Sequence, residues 1–371
     1  MYLEDVVQNK KIVIVHDWLY GGGAEKVVLA LHELYPEAPI YTSFCTNEWR
    51  DKLDHKVVTG YLNKWPFTKL RKFIPFLRVS WFKSLDLTDF DIVIISSGNG
   101  EAICVNKFKK DALTICYCHS PTHFYWDKYN EYMNNPGFGA LNWLARIGLK
   151  TLVKPLRNID YKAAQNPKYF IANSSFIKQK IKQYYGRDSV VIHPPVDVSR
   201  FINTAGKYPK FGYVVTGRQV PYKRLDLCIE AFNELHMPLT VIGNGPEHHK
   251  LVKLAGKSII FVTDATDSQL PKYLASAEAY IFCSKEDFGI APVEALAAGT
   301  PVIAYKSGGA LDYVTPKTGI FFDNQSLESI VSAVKESQKS HFVQHDLTAK
   351  AQEFSTEEFK NKIMKYIEAK L

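Results

Sequence analysis

A chain of 371 residues is too long for one hydrophobic core, and with 46% apolar residues it holds material for two. Its net charge of +8 favours an anionic partner without choosing among nucleic acid, phosphorylated ligand and acidic lipid. No uninterrupted apolar run approaches the roughly 20 residues of a membrane-spanning helix, and the first residues carry early acids in place of a secretory signal, so a soluble or membrane-surface protein is expected. The cysteines Cys45, Cys104, Cys116, Cys118, Cys228 and Cys283 sit mostly in apolar strand-like runs, the pattern of reduced thiols in a cytoplasmic protein. Cys116-Tyr117-Cys118 lacks the second cysteine pair of a structural zinc site.

The first strand is predicted at Ile12-Val13-Ile14-Val15, followed by Gly21-Gly22-Gly23-Ala24-Glu25-Lys26 and a helix. Strand, glycine loop and helix form an arrangement whose backbone amides cradle an anion. The third glycine of G-x-G-x-x-G is missing, which argues against a dehydrogenase. Strands at 40–42, 57–58, 91–95 and 113–118 alternate with helical stretches, as in a doubly wound parallel sheet. Among them, Tyr61 to Lys83 carries Lys64, Lys69, Arg71, Lys72, Arg78 and Lys83, no acid, and many aromatic residues. Such a segment suits single-stranded nucleic acid, a membrane interface, or a packed helix pair with a solvated basic face. No nucleic-acid module accompanies it, and anionic lipid attracts each cation by roughly 1 kcal/mol, which favours the membrane. His119-Ser120-Pro121-Thr122-His123-Phe124-Tyr125-Trp126-Asp127 follows a strand directly. A second acid-free segment, Gly139 to Lys154, sets Arg146, Lys150 and Lys154 on one helical face, and Pro155 is expected to bend or end that helix.

Strands at 168–172 and 190–192 complete the first half, and residues 203–209 read as a linker. Beyond it an apolar strand ends in Gly217-Arg218, with Lys223 five residues on, which puts two cations at a strand's carboxyl end. The strand 239–242 ends at Gly243, and another lies at 259–262. Ala279-Tyr280-Ile281-Phe282 reads as a buried strand delivering Glu286 and Asp287 to its C-terminal edge, where α/β sheets bind ligands. Pro292 suits the first turn of the following helix, Glu294 lies within it, and Gly299 stops it. Val302 to Tyr305 precedes a second glycine loop, Gly308-Gly309, and Ser355-Thr356-Glu357-Glu358 opens the last helix.

From Glu286 to Glu294, with Phe288-Gly289-Ile290 between and A-L-A-A-G-T-P-V-I after, the sequence resembles the E-x7-E signature of glycosyltransferase family 4, retaining enzymes of the GT-B fold. That resemblance implies two Rossmann-like α/β domains facing across a cleft: residues 1–202 binding the acceptor, 203–354 binding the nucleotide sugar, and 355–371 crossing back as a helix. It also implies that Glu286 approaches the donor sugar, Glu294 holds the ribose hydroxyls, and Arg218 and Lys223 bind the diphosphate. Gly22, Gly23, Gly217, Gly243, Phe288, Gly289, Ile290, Gly308 and Gly309 would line the donor. The H-S-P-T-x-F-x-W-D string resembles that of mannosyl-transferring members, in which the histidine, here His119, approaches the sugar 6-hydroxyl and the pyrophosphate. A GDP-mannose donor, no metal or other cofactor and no protein nucleophile follow from the likeness. The two basic segments, with Lys64, Lys69, Arg71, Lys72, Arg78, Arg146 and Lys150, lead to a lipid-linked sugar or phospholipid acceptor and an anionic membrane surface, not nucleic acid. The expected location is the cytoplasmic face of a membrane. Alternatives are a sugar-nucleotide 2-epimerase of the same fold and a non-catalytic membrane-binding protein.

Overall fold

Continuous runs of Val and Ile, buried on both faces, dictate parallel strands in two separate sheets. The computed structural model describes residues 9–70, 74–134, 136 and 139–371. The first sheet is built from β1 (Ile12–Leu19), β2 (Ile40–Cys45), β3 (Val57–Val58), β4 (Ile92–Ser97), β5 (Leu113–Cys118), β6 (Tyr169–Ala172) and β7 (Val190–Val191). All pair in parallel in the order β3-β2-β1-β4-β5-β6-β7, so the order reverses between β1 and β4. β1 runs on past the apolar stretch to Leu19, because His16 and Asp17 are themselves buried and bonded.

The helices beside this sheet include α1 (Gly23–Leu34), α2 (Pro75–Ser84), α3 (Asn142–Ala163) and α4 (Ser175–Tyr185). α4 has the cap at each end that its sequence calls for: Ser174 Oγ accepts from the Ile177 amide at 3.1 Å, and Gly186 closes it at φ 67°. α3 does not end at Pro155 but continues through it to Ala163. Its second half is pinned by buried Leu156 and by Asp160, which accepts from Trp126 Nε1 at 2.6 Å, Tyr185 Oη at 2.9 Å and Thr122 Oγ1 at 3.1 Å. Those contacts outweigh the lost helix bond.

The second sheet contains β8 (Tyr213–Thr216), β9 (Leu239–Ile242), β10 (Ile259–Val262), β11 (Ala279–Phe282), β12 (Val302–Tyr305) and β13 (Gly319–Phe322), again parallel. Its order, β10-β9-β8-β11-β12-β13, reverses between β8 and β11. The edge strand β13 is absent from the sequence reading, being four residues that open on a glycine. Around the sheet pack α5 (Leu225–Leu235), α6 (Ile290–Ala297) and α7 (Leu327–Ser337). The last helix is α8 (Thr356–Glu368).

Residues 1–194 with 360–371 form one unit and 195–359 the other. The division falls before the expected 202/203 boundary because Val196, Val198 and Phe201 are apolar anchors buried in the second unit's core. In the first unit, Ile363 and Ile367 pack beside Leu31, Ile94, Ile115 and Ile171, and Lys360 pairs with Glu33 at 2.7 Å.

Candidate functional site

In the second unit the chemistry gathers at the carboxyl ends of β8 and β11, the place where strand order reverses. Lys223 ends a short 3-10 turn after β8, and its ammonium pairs with Glu286 Oε1 beyond β11. Ser284 Oγ donates to the same Oε1 at 2.7 Å. The carboxylate is thus fixed from two sides while the pair keeps about a fifth of its surface open, at 18% and 21%.

Two further tyrosines register the surrounding charge. Burial pushes the Tyr280 phenol well up; its bond with Thr216 Oγ1, 3.0 Å, opposes the rise, and Glu286 and Glu294 both add to it. The two glutamates therefore act on one hydroxyl, although seven residues lie between them in sequence. Partial burial raises Tyr222 too, with Lys223 and Arg218 pulling it down and Glu286 and Asp287 pushing it up. Arg218 is itself exposed. Arg224 lies in the left-handed region at φ 52° and bonds Asp226 at 3.2 Å, a structural role.

Two glycines are demanded by close approach. At Gly243, φ 117°, a Cβ would stand 2.4 Å from the Gly217 carbonyl oxygen. At Gly308, φ 69°, it would stand 2.2 Å from the Glu286 carbonyl oxygen, while the Gly309 amide donates to that oxygen at 2.9 Å. The loops after β8 and β9 are knitted by Gln219, fully buried, whose Nε2 donates to Gly243 O at 2.6 Å and whose Oε1 meets His248 Nδ1 at 2.8 Å. Gly289 caps the N-terminus of α6, Ile290 begins it, and Glu294 lies along it at 7% exposure. The Phe288 ring is no ligand surface: it packs in the core against Tyr313 and Phe354.

In the first unit, Gly22 caps α1 and Gly23 begins it. Glu25 Oε1 folds back to accept from the amides of Gly21 at 2.9 Å and Tyr20 at 3.3 Å, so those two amides are occupied by the loop's own carboxylate. Asp17, 1% exposed, spans the reversal point of this sheet and accepts from the amides of Gly98 (2.7 Å), Asn99 (2.8 Å), Glu101 (3.2 Å) and Ala102 (2.7 Å). His119 follows β5, half-buried, its amide bonded to Ser97 O at 2.8 Å and its carbonyl to Asn173 Nδ2 at 2.9 Å. The rest of its string is largely scaffold: Thr122 and Trp126 hold Asp160. Burial works to raise the Asp127 carboxyl, but His123 and Lys180 outweigh it and hold the group at about 2.

The basic segments divide. Lys64, Lys69 and Lys150 are exposed, beside Trp65 at 77%, Trp143 at 60% and Ile147 at 53% exposure. Arg71 and Lys72 lie outside the described residues. Arg78 contradicts its assignment to a membrane surface: it is buried at 7%, paired with Glu101 at 2.9 Å and stacked over Trp18. The Arg146 guanidinium is bonded to the carbonyls of Met133 at 2.8 Å and Asn134 at 2.7 Å. Among the described residues no helix is long and apolar enough to cross a membrane, and no three His, Cys, Asp or Glu groups cluster as a metal site.

The family "Glycosyltransferase Family 4" matches residues 21–200, and "Glycosyl transferases group 1" matches 197–354. An alpha-1,3/1,6-mannosyltransferase of Candida glabrata is 26% identical over 82% of this chain and 78% of its own length. A GDP-Man:Man(3)GlcNAc(2)-PP-Dol alpha-1,2-mannosyltransferase of Mus musculus is 26% identical over 81% of this chain and 73% of its own. A GDP-mannose-dependent alpha-(1-6)-phosphatidylinositol monomannoside mannosyltransferase of Mycolicibacterium smegmatis is 28% identical over 43% of this chain, which spans half the length of that relative. Among solved structures, Anabaena HepE in complex with UDP superposes with a TM-score of 0.67 at 16% identity, covering 96% of this chain and 100% of that one. The sucrose-phosphate synthase of Thermosynechococcus elongatus does so at 0.69 and 15%, covering 96% and 98%.

Proposed function

Because the chain belongs to glycosyltransferase family 4 and carries its two parallel-sheet GT-B domains, we propose that this glycosyltransferase moves mannose from GDP-mannose, with retention, to a lipid-linked sugar or phospholipid at a membrane surface. The observation that carries this reading is the Lys223–Glu286–Ser284 cluster at the reversal point of the second sheet, with Arg218 on the adjoining loop.

Breaking the glycosidic bond loads negative charge onto the departing diphosphate. Fixed cations stabilise that charge better than mobile water does. In this reading Arg218 and Lys223 meet the diphosphate, aided by the N-terminus of α6. Glu286, oriented by Lys223 and Ser284, meets the sugar, and Glu294 meets the ribose. His119 is assigned the sugar 6-hydroxyl or a pyrophosphate oxygen, the role that the family resemblance implies. The acceptor attacks on the face from which the diphosphate departs, without a protein nucleophile. Charge neutralisation is assigned to the two cations and not to a metal ion. Mannose and the lipid acceptor are supported by the relatives' activities, and the membrane by the exposed Trp65, Trp143 and Ile147 among lysines.

The test is transfer of labelled mannose from GDP-mannose, with UDP-glucose as competitor, in the presence and absence of polyprenyl-diphosphate sugars and phosphatidylinositol mannosides. Acceptor-dependent labelling that survives EDTA and preserves the anomeric configuration is expected. Conversion of the sugar nucleotide with no acceptor present would replace this reading with a 2-epimerase.

A further inference from the structure

His16 and Ser96 are polar side chains deep in the first sheet, at 3% and 0% exposure, and the parallel register of β1 and β4 sets them side by side. Buried polar atoms at such a position need partners. His16 Nδ1 lies 3.0 Å from the Ser96 carbonyl oxygen and 2.9 Å from Ser96 Oγ. On its other side, Ser96 Oγ lies 2.8 Å from His119 Nε2.

The hydrogens follow from donor and acceptor counting. A carbonyl oxygen only accepts, so a His16 Nδ1 that faces it carries a proton and donates, towards both the carbonyl and the hydroxyl oxygen. The hydroxyl hydrogen is then directed to the remaining neighbour, His119 Nε2, which accepts it. A neutral His119 in that position carries its own proton on Nδ1, the tautomer less populated by histidine in water. Its main chain is clamped as well, by Ser97 and Asn173, so both the place and the protonation of the ring are set by the sheet.

We infer that His16 and Ser96 are positioning residues that lock His119 as its Nδ1–H tautomer, so that the imidazole reaches a ligand only as a hydrogen-bond donor. This rests on the reading of His119 as a donor-sugar contact and deepens it. A donor-only ring recognises oxygen lone pairs, those of a sugar hydroxyl or a phosphate, and takes no proton from the acceptor. The recognition is written in the second strand residue before the loop, not in the loop itself.

The experiment uses the full chain labelled with 15N-histidine, at about pH 8, above the ordinary histidine range. Two-bond proton–nitrogen correlations read each tautomer directly, and the His119 signal is assigned by its loss in His119→Gln. The wild type is expected to show a protonated Nδ1 and a bare Nε2 at His119. Ser96→Ala is expected to move it to the Nε2–H form and to lower kcat/KM for the donor about tenfold. His16→Asn, whose side-chain N–H stands in for Nδ1–H, is expected to keep both the tautomer and the rate, whereas His16→Leu loses both. An Nε2–H form in the wild type, or a tautomer indifferent to Ser96→Ala, would overturn the inference. Full activity of His119→Gln would instead sink the substrate role of His119, and the NMR readout separates the two failures because it needs no turnover.

Discussion

Glu286 is held by an ammonium and a hydroxyl at once, and Gly308 is pressed against its backbone, so side chain and main chain are positioned by different loops. Glu286→Gln retains the shape and loses the charge that Lys223 pairs with. It is expected to lower kcat roughly 100-fold or more with nucleotide binding preserved, as read by calorimetry with GDP. Gly308→Ala forces a methyl group against the Glu286 carbonyl at a left-handed φ. Its expected outcome is lost transfer with a Tm reduced by several degrees, checked by scanning calorimetry. At this scale the sequence displayed the charged residues and hid their holders. Arg218, Lys223 and Glu286 stand out as charges at strand ends. Tyr280 reads only as part of a strand, and nothing in the type of Ser284 or Gln219 says that a hydroxyl will meet Glu286 or that an amide will join two loops. Arg78 misled for the converse reason: its partner Glu101 is 23 residues away, beyond the window in which the segment looked purely basic.

α3 shows what periodicity tells and what it omits. The first half carries exposed Trp143, Leu144 and Ile147, and the second half is buried at Val153, Leu156, Asp160 and Ala163. An amphipathic pattern was visible, but Pro155 left open a bend or an end, because the three donors that capture Asp160 come from elsewhere in the chain. The apolar residues of the first half are exposed, so changing them leaves the core intact. Trp143→Ser combined with Ile147→Ser is expected to leave Tm unchanged and to weaken binding to vesicles of anionic phospholipid about tenfold in sedimentation assays. Unchanged sedimentation would assign that face to something other than lipid.

For the whole molecule, the parallel sheets were legible because their strands are unbroken apolar runs, and the glycosyltransferase string identified the second domain. The domain boundary shifted because anchors such as Phe201 lie in what reads as a connecting stretch. Stability also has a global signature in pH. Burial raises the Asp160 carboxyl from 3.8 to about 6, against the bonds from Trp126, Tyr185 and Thr122. Between those values the folded chain keeps a proton that the unfolded chain has released, so stability falls as pH climbs through this window. Asp160→Asn, which keeps an acceptor and adds no charge, is expected to flatten that part of the Tm-versus-pH curve and to leave the mutant no less stable than the wild type above about pH 6.

The second unit is one uninterrupted stretch, whereas the first is closed by residues 360–371. During synthesis, therefore, the ribosome delivers every residue of the later unit before the earlier one receives Ile363 and Ile367. Nascent chains halted before Lys360 would leave Leu31 and Ile171 without that cover, so the half made first is the half finished last.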